Sequence, residues 1–152
     1  MSKQEFYIPA LAKIHQALGP YARLLLRLLV GGVFLAHGWG KLMAVVSGPG
    51  LGGLAAYIEP SGLPFPIVLA YLALITEMVG GICIILGLFT RLWAFMGAVM
   101  MFLIVLFVKD PSVFSARDGG IEYDLTLGVI LTVLAIKGAG DYSLDAKMKK
   151  AF

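Results

Sequence analysis

Apolar residues run through the chain in long blocks, separated by short clusters of Gly, Pro and charge. A helix needs about 20 apolar residues, at 1.5 Å rise each, to cross a bilayer. Four blocks qualify, at about 21–41, 66–89, 91–108 and 120–137. The second, which contains LAYLALITEMVGGICIILGLF, is the clearest. The fourth is strongly apolar only from Leu125 to Ile136, so its first turn reads partly as loop. Upstream, ALAKIHQALG sets Leu11, Ile14 and Leu18 at helical spacing with Lys13 and Gln16 opposite, predicting a short amphipathic helix in the membrane interface. SGPGLGGLAAYIEPSGLPFP, between the first two blocks, reads as a long loop with one short surface helix around Leu51 to Ile58.

Helical phase sorts the polar residues onto faces. At 100° per residue, Arg23, Arg27, Gly31, Phe34, Gly38 and Lys41 lie within about 40° of one line, with His37 on the flank. Glu77 shares a face with Ala70, Ala73, Gly80 and Gly81, and Asp124 with Gly128, Thr132 and Ala135. Small residues permit close approach of membrane helices, so these stripes are expected to face one another inside the protein. Counted from Lys41 and Pro66 as external ends, Arg27 and Glu77 lie about 21 Å and about 16 Å deep. An unpaired charge there costs about 2.5–3.5 kcal/mol. The sequence therefore predicts an Arg27–Glu77 ion pair, with His37, Lys41, Glu122 and Asp124 forming a shallower polar pocket above it. Whether such a pair only fixes helix register or takes part in proton or ligand binding is open at this stage.

Composition agrees with the membrane reading. Of 152 residues, 60% are hydrophobic and 14% charged, and the mean hydropathy is +0.93, which suits an integral membrane protein. The net charge of +3 points to no nucleic-acid partner, because the cations sit at block ends where membrane orientation accounts for them. Lys3, Lys13, Arg23, Arg91, Lys137, Lys147, Lys149 and Lys150 fall on one side and Lys41, Lys109 and Arg117 on the other. The expected fold is all-α, a polytopic four-helix transmembrane bundle with both termini cytoplasmic. Residues 1–20 form its N-terminal segment, 21–140 the transmembrane domain and 141–152 a basic tail suited to anionic headgroups. The N-terminus lacks the apolar core and cleavage site of a signal peptide and is expected to be retained.

Candidate chemistry is sparse. A single Cys83 in an apolar run excludes an internal disulfide and reads as a core hydrophobe. His15 and His37 are too far apart to ligate one haem, and no metal-ligand spacing, phosphate loop, dinucleotide loop or nucleophile elbow is present. Met96, Met100 and Met101 read as packing residues.

RLLVGGVFLAHGWGKL (27–42), ITEMVGGICIILGLFTR (75–91), GGIEYDL (119–125) and GAGDYSLD (138–145) resemble, in order and spacing, the recurrent segments of the DoxX family. The resemblance covers about residues 23–145. It implies a four-helix protein of the bacterial or archaeal inner membrane. Some family members are subunits of complexes that oxidise sulfur compounds and reduce quinone, and others are linked to thiol redox balance. Arg27, His37, Lys41, Glu77 and Glu122 fall at the family's polar positions, without assigned catalytic roles.

The functional expectation is a quinone-interacting subunit of an oxidoreductase complex with no covalent cofactor. His37 or Lys41 would hydrogen-bond the quinone carbonyls, Glu77 or Glu122 would exchange protons, and Arg27 would tune their acidity. Electrons would come from a partner polypeptide or a small reductant. The catalytic candidates are thus Glu77, Glu122 and Arg27. A small permease or channel, and a structural anchor for soluble enzymes, are the rival readings. A homodimer with a site at its interface is compatible with the Gly-rich faces.

Overall fold

A computed structural model describes residue 7 and residues 9–148, all of whose regular elements are helical. Of the basic tail, Lys149 and Lys150 lie outside the described residues. The longest helix, α1 (Pro9–Val46), runs through 38 residues with Pro20 inside it. The expected interfacial helix is therefore the N-terminal part of this same element. Proline removes one backbone donor and frees the carbonyl four residues earlier. Here that carbonyl belongs to the exposed Gln16, where solvent or headgroups can satisfy it, so the helix need not break.

The expected surface helix is α2 (Gly52–Ile58), continued by one 3-10 turn. The second apolar block forms α3 (Pro66–Ile75), a π turn (Thr76–Gly80) and α4 (Gly81–Leu86), stacked as one rod over Pro66–Leu86. The third forms α5 (Thr90–Leu103), extended to Val108 by a second π turn. α6 (Glu122–Lys137) and the short α7 (Leu144–Met148) complete the chain. Among the described residues, three helices are long and apolar enough to span a membrane: Leu11–Val46, Pro66–Leu86 and Thr90–Val108. α6 has 16 residues, about 24 Å of helix, which is short against a hydrocarbon core of about 30 Å.

Val30 and Phe34 of α1, Ile84 of α4, Ala98 of α5, and Leu131 and Leu134 of α6 share one core. In lipid, apolar burial drives helix association weakly, so small residues that admit a close neighbour carry much of the specificity. A Cβ on Gly31 would sit 2.8 Å from the Gly81 carbonyl, one on Gly97 would strike the Phe34 ring at 2.8 Å, and one on Gly128 would meet Met101 at 3.3 Å. A second, smaller core of Leu51, Ile58 and Ala70 seats α2 against the beginning of α3.

Candidate functional site

The helix contacts set the register of every charge. α1 and the Pro66–Leu86 rod run antiparallel, with Gly38 against Glu77, Gly31 against Gly81 and Ile85, and Arg27 against Gly87. Glu77 thus lies level with Gly38. Arg27 is eleven positions further along α1, about 16 Å away at 1.5 Å per residue. The expected Arg27–Glu77 pair is not formed. The depth comparison behind it took Lys41 as the end of the first helix, whereas α1 continues to Val46.

Glu77 pairs instead with Lys41, one turn beyond Gly38. Lys41 Nζ donates to both carboxylate oxygens, at 2.6 Å to Oε1 and 2.5 Å to Oε2. The Glu77 side chain keeps 7% of its surface accessible and the Lys41 side chain 21%. Glu77 lies within the π turn, where one extra residue per turn widens the helix; such bulges are frequent at functional sites.

The ion pair forms the polar end of a cavity of about 300 Å³. Its walls come from the Pro66–Leu86 rod, from α5 with its π turn, and from the α2 segment. They include Leu63, Ala73, Thr76, Met100 and Ile104, and Lys41 and Glu77 supply the charge. Ile104 and Val108 place the second π turn on the same cavity. Three lining residues, Leu72, Phe95 and Val99, are also 45%, 59% and 41% exposed. They belong to two helices long enough to span a membrane, so this side of the cavity faces lipid.

The other predicted site residues lie elsewhere. His37 is on the exposed flank of α1, where its Nε2 is 3.0 Å from the Tyr123 hydroxyl. Glu122 accepts a hydrogen bond from the Ala116 amide at 3.1 Å and so closes the turn before α6. Asp124 is buried 2.6 Å from Lys109 Nζ, which also donates to the Gly120 carbonyl at 2.8 Å. Neither His37 nor Glu122 lines the cavity. Conversely, Met96 and Met100 do line it, in addition to packing.

Arg27, 1% exposed, organises the opposite end. Its guanidinium donates to the carbonyls of Ile84 at 3.0 Å, Ile85 at 3.0 Å and Ala139 at 2.8 Å. The last turn of a helix leaves carbonyls without intrahelical donors; in α4 the Leu88 and Gly87 amides serve Cys83 and Ile84, and Arg27 serves Ile85 and adds a second donor at Ile84 while tying in the chain beyond α6. Gly87 ends α4 at φ 70°. Asp145 then caps the next helix by accepting from the Phe89 amide at 2.7 Å and the Thr90 amide at 3.0 Å. Nearby, Tyr142 stacks on Tyr21 at 4.8 Å and its hydroxyl donates to that of Tyr21, which holds the Tyr142 phenol above its ordinary pKa.

A model of the DoxX family matches residues 22–110. "Putative oxidoreductase CatD" of Bacillus subtilis is 30% identical over 122 residues, which is 80% of this chain and 83% of the relative. "Inner membrane protein YqjF" of Escherichia coli is 28% identical over 84% of this chain and 92% of its own length. An uncharacterized membrane protein of Mycobacterium tuberculosis, Rv3486, is 32% identical over 93% of this chain and 90% of its own. No solved structure is significantly similar.

Proposed function

Because this chain belongs to the DoxX family, we propose that it is a quinone-binding subunit of an oxidoreductase in the bacterial inner membrane. The observation that carries this reading is an apolar cavity that faces lipid on one side and ends in the Lys41–Glu77 pair. A lipophilic quinone fits both features. Its ring carries carbonyl acceptors that need a donor, and its isoprenoid tail needs an apolar exit. A volume of about 300 Å³ is at the small end of ligand sites, which span about 300–1,000 Å³. The cavity would therefore take the ring and the first part of the tail, leaving the remainder in the bilayer.

When bound, the quinone supplies the two-electron acceptor chemistry. The work of the chain is positional and protonic. Lys41 has three N–H donors and directs two at Glu77, so one remains for a carbonyl oxygen at the cavity wall. Glu77, buried beside that donor, can hold or deliver a proton at the same place. Leu72, Phe95 and Val99 admit the ligand from the membrane and keep bulk water away from the ion pair. Electrons come from a partner polypeptide or a small reductant; the Bacillus subtilis relative carries an oxidoreductase name and no more. The clustering of Arg23, Arg91 and Lys137 at the Arg27 end supports placing that end in the cytoplasm.

The test is retention of quinone by the purified protein in mild detergent. Wild-type protein is expected to co-purify with quinone, and Glu77→Gln to lose at least about nine-tenths of it while keeping its helical content. Equal retention by both proteins, or none by either in the presence of added quinone, would contradict the assignment.

A further inference from the structure

At the Arg27 end, on the far side from the quinone cavity, a second concavity of about 210 Å³ is lined by Arg91 and Lys137, by the glycine-rich turn Gly138–Gly140, and by Ser143, Asp145 and Ala146. Its charges are unevenly spent. Both oxygens of Asp145 are taken by the amides of Phe89 and Thr90. Arg91 and Lys137 belong to neither of the two ion pairs among the described residues, and no side-chain hydrogen bond holds either cation there. Of the neighbouring cations, Arg27 donates to the Ala139 carbonyl and Arg23 to the Lys137 carbonyl, which leaves the Lys137 ammonium free. The other acid in this turn, Asp141, is exposed and does not line the concavity.

The turn keeps the two cations available. Gly138 has φ 73°, and a Cβ on it would lie 3.1 Å from Arg91 Nε, so glycine lets the guanidinium rest against backbone at the rim. Just beyond the cations along the same helices, Leu92 is 42% exposed on α5 and Ile136 67% exposed on α6, with Val133 44% exposed behind it. The two cations of the recess are thus each flanked, one residue along their own helices, by an exposed apolar side chain.

We propose that this recess binds the phosphate of an anionic glycerophospholipid, whose acyl chains lie along Leu92, Val133 and Ile136. The apolar surface selects a lipid over a soluble phosphate. The two unpaired cations select a headgroup that lacks a compensating ammonium. Each basic residue near the membrane surface attracts an anionic lipid by about the same increment, so removing both should weaken binding about thirtyfold.

The experiment uses full-length protein in bilayers of equal phosphatidylglycerol and phosphatidylcholine, with bound lipid counted by native mass spectrometry. Wild-type protein is expected to retain phosphatidylglycerol preferentially. The double variant Arg91→Gln with Lys137→Gln is expected to lose that preference, with unchanged melting in pure phosphatidylcholine and unchanged quinone retention. Arg91→Lys with Lys137→Arg should keep it, as should Lys13→Gln, which removes an exposed cation on α1 outside the recess. An unaltered preference in the glutamine pair, or an equal loss in Lys13→Gln, would overturn the site. Full displacement of the lipid by equimolar inorganic phosphate would overturn the lipid assignment in favour of a soluble anion.

Discussion

The charge centres at Arg27 and at Lys41–Glu77 are built in opposite ways. Around Arg27 the donors meet three fixed carbonyls from two separate stretches of chain, and the side chain is 1% exposed. Around Lys41 and Glu77 the partners satisfy each other, but they do so at the wall of a cavity that opens toward lipid. A charge that is 1% exposed, with each guanidinium nitrogen already on a backbone carbonyl, has no free space beside it for a ligand and so holds structure. A pair with donors and lone pairs to spare, facing free space, can bind and exchange protons. Depth in the membrane, which the two centres share in part, does not distinguish them; the identity of the acceptors does.

Substitutions should widen this contrast. Arg27→Leu removes the donor of the Ile85 and Ala139 carbonyls and one of the two donors of Ile84, and it leaves the chain beyond α6 untethered, so it should cost about 3–5 kcal/mol, seen as a large fall in the melting temperature in detergent. Gly87→Ala acts on the same centre by another route. Its Cβ would lie 2.5 Å from Ser143 Cβ and 2.7 Å from an Arg27 nitrogen, at φ 70°, and about 2 kcal/mol of destabilisation is expected in the same assay. At the cavity end the readout changes from stability to binding. Val99→Trp should fill the lipid-facing opening and reduce quinone retention about tenfold, roughly 1.4 kcal/mol, with melting nearly unchanged. Asp145→Ala removes a cap on α5 and should cost about 1 kcal/mol, measured by thermal unfolding, without altering quinone retention. If Arg27→Leu instead spared stability and abolished binding, the division of labour between the two ends would be reversed.

Much of the fold was legible because bilayer thickness imposes a length and an apolarity on each crossing. The rods at Pro66–Leu86 and Thr90–Val108 begin at or within one residue of the expected blocks, and α2 lies where the loop pattern placed it. The continuity of α1 was not legible. Gly19–Pro20 looks like a stop signal, but the carbonyl that Pro20 displaces belongs to the exposed Gln16, where it can turn outward and be solvated. The π turns were also hidden, since TEMVG and IVLFV differ little from ordinary helical sequence.

At the site, Glu77 and Lys41 were both named from sequence, yet Glu77 was assigned the wrong partner. Register decides the partner, and the glycines carry it: Gly31 and Gly38 on α1 match Gly81 and Glu77 on the facing rod. Matching those small residues first would have brought Lys41 to Glu77 and left Arg27 with the end of α4. The acceptors of Arg27 leave no such trace, because they are backbone carbonyls and any residue type supplies one. His37 and Glu122 share the depth of the pocket but hydrogen-bond to Tyr123 and the Ala116 amide, and neither lines the cavity.

The most direct test of this account is photo-crosslinking in native membranes with a quinone that carries a photoreactive group on its ring, followed by peptide mapping. Labels are expected on the segments that line the cavity, around Tyr57–Leu63, Leu72–Glu77 and Phe95–Ile104, displaced by unlabelled quinone and lost in Glu77→Gln. Labels concentrated near Arg27 and Ala139, or an unchanged pattern in Glu77→Gln, would contradict it.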